Sequence, residues 1–138
     1  HLLRIIPNKI LSSVNITTGP FPGFPTDLQA PFMALMATAN GTSQIKETVF
    51  ENRMHHVKEL NRMGAKITVR NNIAKVIGVK KLQGREVIGS DLRATAALAI
   101  AGLSANGKTI VKGLEHLERG YENFSEKFQK IGASIFKK

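Results

Sequence analysis

Asp91-Leu92-Arg93-Ala94-Thr95-Ala96-Ala97-Leu98-Ala99-Ile100-Ala101-Gly102-Leu103, followed shortly by Asn106-Gly107, repeats a pattern the chain has already used once. The earlier copy opens at Asp27-Leu28, runs through the apolar residues 30–39 and stops at Asn40-Gly41. After each Gly comes a short alternating segment, residues 42–49 and then residues 108–114. A charged corner holding an Arg follows, Glu51-Asn52-Arg53 in one copy and Glu118-Arg119-Gly120 in the other. Next is an amphipathic stretch marked by Val57, Leu60 and Met63, and then by Phe124, Phe128 and Ile131. Each copy closes on Gly-Ala-x-Ile, at residues 64–67 and 132–135. The separation of matching landmarks drifts only from 64 (Asp27 to Asp91) through 66 (Arg53 to Arg119) to 68 (Gly64 to Gly132). Landmarks kept in order at near-constant spacing mark an internal repeat. The two copies span approximately residues 20–80 and 87–138, both within a single domain part covering 1–138.

Each copy reads as helix, strand, helix, strand. Asn-Gly after some ten apolar residues is a helix C-terminal signal, because Gly accepts the left-handed backbone there. Gly64 and Gly132 do the same for the second helices, and Ala-x-Ile then starts a strand. Residues 73–79 alternate loosely and add a further strand before the second copy. Val87-Ile88-Gly89 leads into the second unit, and the Gly-Pro-rich residues 19–25 lead into the first. The Ala-rich residues 94–101 can approach neighbours closely and are expected to be buried. This is a mixed α/β fold in which apolar helix faces pack against the repeat's own sheet.

The composition fits one ordinary domain: 138 residues, 42% hydrophobic and 22% charged. With no Cys there is no disulfide scaffold, thiolate zinc site or cysteine nucleophile in this chain. The longest uninterrupted apolar stretch, residues 96–103, is far short of a membrane span. The opening His1-Leu2-Leu3-Arg4 carries no export signal. The expected location is therefore cytoplasmic, and a start at His points to a piece of something longer. Twenty bases against ten acids give a net charge of +10. Residues 1–52 are balanced, so residues 53–138 carry the whole surplus. Such a half suits nucleic acid, anionic lipid or a phosphorylated small molecule.

Asp27 and Asp91 both stand where a loop enters a helix, the ordinary place for an N-cap carboxylate. Arg53 and Arg119 both stand at strand-to-helix corners, and Arg93 lies in the first turn after Asp91, where the first copy has Gln29. Singly, each is an ordinary cap or surface residue. Repeats related by rotation, however, bring equivalent corners to one end, gathering Asp27, Arg53, Asp91, Arg93 and Arg119 around one cleft. Arg grips phosphate and carboxylate bidentately, so three of them suit a small, doubly anionic substrate. A carboxylate among them can orient or deprotonate a hydroxyl. His55-His56 with Glu59 has helical spacing, but adjacent His side chains diverge and no third ligand is evident, so no metal is expected. No dinucleotide or nucleotide phosphate-binding loop and no RNA-recognition pattern occurs.

The same residues carry a resemblance. Residues 23–30 (Gly-Phe-Pro-Thr-Asp-Leu-Gln-Ala), 47–53 (Glu-Thr-Val-Phe-Glu-Asn-Arg), Asp91-Leu92-Arg93-Ala94 and Arg119-Gly120-Tyr121-Glu122 resemble the C-terminal signatures of the UDP-N-acetylglucosamine 1-carboxyvinyltransferase family. These are bacterial enolpyruvyl transferases of peptidoglycan and cell-wall synthesis. The resemblance runs from about Asn15 to the end, in the family's order and spacing. The sister family that makes enolpyruvylshikimate phosphate shares the fold but lacks this set.

The resemblance implies βαβαββ units arranged as an inside-out α/β barrel, of which this chain would supply two units of an incomplete domain. It implies that Asp27 contacts the sugar 3-hydroxyl as general base and that Val49 contacts the UDP-sugar through its backbone. Arg93 and Arg119 would hold phosphoenolpyruvate, with Arg53 in the charged cleft and Asp91 beside the reacting carbons. The implied substrates are UDP-N-acetylglucosamine and phosphoenolpyruvate, with no cofactor, metal, nucleic acid or membrane. The family's cysteine general acid, its Lys-Asn pair and its uridine-binding loops belong to the N-terminal half, so this chain alone is expected not to turn over. Pro31 stands where the family has a residue able to donate its amide, and is expected to delay the helix or bend it near Asp27. Two other readings compete. One is a non-catalytic remnant that needs an N-terminal partner chain; the other is a basic nucleic-acid-binding module, against which the repeated Arg residues lie at loop corners rather than along one helix face.

Overall fold

The computed structural model describes residue 4, residue 6 and residues 10–137. Strand β1 (Ile16–Thr17) leads through the Gly-Pro-rich turn to a 3-10 turn at Thr26–Leu28 and helix α1 (Gln29–Met36). Strand β2 (Thr42–Lys46), helix α2 (His56–Arg62), strand β3 (Lys66–Arg70) and strand β4 (Ile73–Ile77) follow. Then come β5 (Glu86–Ile88), α3 (Leu92–Ser104), β6 (Ile110–Lys112), α4 (Leu114–Glu118) and α5 (Phe124–Lys130). One sheet has the order β1-β2-β4-β3, with β1 parallel to β2 and the other neighbours antiparallel. The second pairs β5 parallel with β6.

The alternation in β2 shows how the sheet meets the core. Ser43 and Ile45 are fully buried, whereas Thr42, Gln44 and Lys46 face solvent. One face of the sheet thus covers the helices and the other stays wet. The helices lie inward: α1 packs along α3, and residues 94–99 of α3 are all buried. Ala side chains permit that approach, as expected. Met33, Met36, Leu60, Met63, Leu82 and Leu98 fill the space around them. Each such side chain contributes about 1.5–3 kcal/mol of hydrophobic stabilisation.

Gly64 and Gly132 follow α2 and α5 with φ of +90° and +92°, as the sequence signal requires. Three expectations are corrected. The first helix does not reach Asn40; it ends at Met36, and Asn40 bridges to Ser12. Residues 133–135 form no strand, since no neighbouring strand among the described residues offers them a ladder. The Glu118-Arg119-Gly120 corner is not strand-to-helix: a short helix, Leu114–Glu118, precedes it. The chain makes a 3-10 turn through Asp27, α1 starts at Gln29, and Pro31 sits in its first turn, where its missing N–H leaves nothing unpaired.

Between β3 and β4 the two-residue loop Asn71-Asn72 has φ of +46° and +59°, a type I′ hairpin turn. Because Asn accepts this backbone and branched residues do not, Asn72→Val should lower stability by about 1–2 kcal/mol, whereas Asn72→Gly should not. Urea unfolding of the two variants checks this.

Candidate functional site

Asp27 sits in the 3-10 turn ahead of α1, and its carboxylate caps no helix. This corrects the N-cap expectation, and the reason is electrostatic. Oδ1 accepts from Arg93 Nε at 2.5 Å and from Arg53 Nη1 at 3.2 Å. The Asp27 side chain is 65% exposed, whereas those of Arg53 and Arg93 are 21% and 30% exposed. The hydrogen bond from Arg93, with the charges of Arg93 and Arg53, outweighs partial burial and holds the Asp27 carboxyl below its ordinary range. Ion pairs this exposed add little to stability.

Arg93 reaches Asp27 because α3 starts where it does. Asp91 is the N-cap of α3, with φ −160° and ψ 174°, and its Oδ1 accepts the amides of Arg93 (2.9 Å) and Ala94 (3.1 Å). Ser90 Oγ donates to its Oδ2. Burial pushes the Asp91 carboxyl up, but the amides of Ala94 and Arg93, the Ser90 hydroxyl and nearby His56 together draw it below its ordinary value. Loss of the cap in Asp91→Ala should cost about 1 kcal/mol, with Asp91→Asn recovering most of it, as read from urea midpoints.

Arg53 arrives from the other side on the loop after β2. Its guanidinium lies 4.1 Å from the Phe50 ring centroid and donates to Thr26 Oγ1 at 2.8 Å as well as to Asp27. The loop turns about Glu47, which is 3% exposed. Its Oε1 accepts the amides of Val49 (2.9 Å) and Phe50 (3.2 Å) and the hydroxyl of Thr18 (2.8 Å). Its Oε2 accepts Thr26 Oγ1 at 2.9 Å. Val49 and Phe50 are left exposed at the loop's surface.

Arg119 caps the C-terminus of α4 and is exposed. The next residue, Gly120, presses on Leu92, the first residue of α3: a Cβ on it would lie 2.8 Å from the Leu92 side chain. The Arg119 corner therefore packs beside Asp91 and Arg93. Its guanidinium makes no hydrogen bond or ion pair among the described residues.

Residues 1–128 match the family of EPSP synthase (3-phosphoshikimate 1-carboxyvinyltransferase). The chain belongs to the EPSP synthase family. Among curated relatives, a UDP-N-acetylglucosamine 1-carboxyvinyltransferase from Prochlorococcus marinus strain NATL1A is 62% identical over all of this chain and 30% of its own length. One so named from Nostoc sp. is 58% identical over 98% of this chain and 30% of its own length. The chain thus spans about 30% of these relatives. Among solved structures, the enolpyruvyl transferase NikO from Streptomyces tendae superposes with a TM-score of 0.83 at 32% identity, over 94% of this chain and 30% of that one. EPSP synthase from Acinetobacter baumannii, 15% identical with a TM-score of 0.68 over 92% of this chain and 29% of its own, shares the fold.

Three residues of this EPSP synthase family chain that support the Arg53 loop received no role of their own from the sequence. Glu47 and Thr18 are buried and Thr26 is half-buried; Glu47 and Thr26 stand within the quoted signatures, yet nothing there says which hydroxyls and amides they will meet. His56, weighed in the sequence only as part of a metal set, is a different case. It is 3% exposed, its Nε2 has no partner among the described residues, and it faces Asp91. Glu59 pairs with Arg62 (2.7 Å) and accepts the Ile88 amide, and so turns away from any His-His-Glu metal set. Among the described residues no group of three His, Asp or Glu stands close enough to hold a metal ion. No helix among them is long and apolar enough to cross a membrane.

Proposed function

We propose that this chain is the C-terminal part of a transferase that moves the enolpyruvyl group of phosphoenolpyruvate onto the 3-hydroxyl of UDP-N-acetylglucosamine, with release of phosphate. The observation that carries the reading is one exposed carboxylate, Asp27, shared by Arg53 from the loop after β2 and Arg93 from the first turn of α3. A carboxylate kept ionised in front of two guanidiniums is suited to take a hydroxyl proton while they hold an anion. Residues 20–80 and 87–138 act as two units of one domain in this reading.

In the addition step the 3-hydroxyl oxygen bonds to C2 of phosphoenolpyruvate and its proton passes to Asp27. C3 takes a proton from an acid outside this chain. In the elimination step a C3 proton passes to a base outside this chain, the double bond re-forms as the C2–O bond to phosphate breaks, and the phosphate departs with the proton that Asp27 had taken. Arg93 and Arg119 hold the phosphate and carboxylate, with Arg53 beside them and Asp91 against the reacting carbons. Such preset charges stabilise the charge that develops in the transition state. As the arginines turn to the incoming anion they loosen their hold on Asp27, and its basicity rises at the moment a base is needed. The Val49 amide is already engaged by Glu47, so its carbonyl is the backbone group left to accept from the UDP-sugar. The work is done in the cytoplasm as the first committed step of peptidoglycan synthesis, on which cell-wall growth, shape and division depend.

The test is a chimera in which this chain replaces the matching C-terminal segment of the 62%-identical Prochlorococcus marinus relative. Phosphate release from phosphoenolpyruvate that depends on UDP-N-acetylglucosamine is expected from the chimera and not from the chain alone. A folded chimera that releases none would overturn the proposal, as would steady release by the chain alone that is lost in Asp27→Ala.

A further inference from the structure

We propose that Glu47 is a positioning residue that sets the proton order of the cleft, forcing the Thr26 hydroxyl to act as an acceptor for Arg53 and so fixing Arg53 on Asp27. The argument starts from donor and acceptor capacity. An ionised carboxylate only accepts, and it has about four lone-pair sites. Glu47 accepts four bonds, three at Oε1 (from the Thr18 hydroxyl and the Val49 and Phe50 amides) and one at Oε2 (from the Thr26 hydroxyl). Each Thr hydroxyl has one proton, and here both protons are committed to Glu47. The lone pairs of Thr26 Oγ1 must then face a donor, which is Arg53 Nη1 at 2.8 Å. Those of Thr18 Oγ1 face the Thr48 amide at 2.9 Å.

The chain of bonds is directional from end to end. Thr26 donates to Glu47, Arg53 donates to Thr26, and the same Nη1 donates to Asp27, whose Oδ1 also accepts from Arg93. A buried carboxylate that touches neither arginine thus decides where one of them points. Burial alone would push the Glu47 carboxyl up. The hydrogen bonds from Thr18, Val49, Thr26 and Phe50 reverse this and keep it ionised, as the ordering requires. That the order serves turnover rests on the transferase reading; the order itself does not.

Glu47→Gln separates the two. Gln can keep an oxygen toward Val49, Phe50 and Thr18, but then turns an NH2 donor at Thr26. Thr26→Val removes the acceptor while leaving Glu47 in place, and Thr26→Ser restores it. The first readout is the titration of Asp27, followed by carboxyl-carbon NMR in this chain. In Glu47→Gln and Thr26→Val the midpoint should move up toward the ordinary carboxylate value as Arg53 is released, and in Thr26→Ser it should return. An Asp27 titration unchanged in folded Thr26→Val would overturn the inference, even if Glu47→Gln fails to fold. In the chimera, kcat should fall on the order of tenfold to a hundredfold in Thr26→Val, with thermal stability little changed and Ser restoring rate. A chimera inactive in every form, with the NMR shifts as expected, would sink the transferase reading and leave the role of Glu47 standing.

Discussion

Asp27→Asn in the assembled transferase should lower kcat by about 10²–10⁴-fold, the usual contribution of a positioned general base. The substitution keeps the side chain's shape but leaves one oxygen acceptor for two arginine donors and no site for a proton. Because Arg93 first, and then Arg53, hold the Asp27 carboxyl below its ordinary value, it stays ionised further into acid than a free carboxylate does. The acid limb of kcat/KM in the free enzyme should therefore lie below the ordinary carboxylate range. In Arg93→Ala that limb should move up, and the KM for phosphoenolpyruvate should rise with it. Steady-state rates across pH for the three forms decide the matter. An Asp27→Asn enzyme with unchanged kcat would remove Asp27 from the chemistry, and a raised KM alone would make it a binding group only.

The second large effect is on stability. His56 titrates in the unfolded chain near 6.5, and burial pushes its folded value down to about 4, with Asp91 opposing the shift and His55 adding to it. Between those two values the unfolded state binds a proton that the folded state refuses. Stability is then fully present above pH 6.5 and falls as the pH drops toward 4, by about 3 kcal/mol in all. Asp27, Glu47 and Asp91 also have lowered values and lose stability in acid, but below their ordinary 3.8 to 4.5, so the windows separate. His56→Phe keeps the ring, removes the unpaired Nε2 and should flatten the profile between pH 4.5 and 6.5 without loss at pH 7. Urea midpoints at half-unit pH steps provide the check. The same slope in both proteins would show that His56 opens to solvent before the fold does.

The helices and the corners were legible because their causes are local. Asp91 before an Ala-rich run reads as a cap and is one. Gly64 and Gly132 read as helix stops and have the positive φ that such a stop needs. Asp27 read the same way as Asp91 and behaves differently. Two arginines distant in sequence outbid the local amides for its carboxylate, and Pro31 allows the helix to begin two residues later. Residues 133–135 carry a strand pattern as good as that of residues 65–67, yet only the latter lead into a paired strand, Lys66 and Ile67 lying against β4. A pattern can offer an edge but cannot supply the partner that completes its ladder.

What the sequence determined by itself was the alternation of helix and strand, the repeated corners and the residues standing on them, since capping, left-handed glycines and apolar periodicity act within a few residues. Tertiary structure alone decided that Arg93 crosses 66 residues to share Asp27 with Arg53. It also decided that a buried Glu47 orders the hydroxyls between them, and that His56 is shut away beside Asp91. Charge and proton order depend on distance in space and on the exclusion of water, and neither is written in the spacing of residues along the chain.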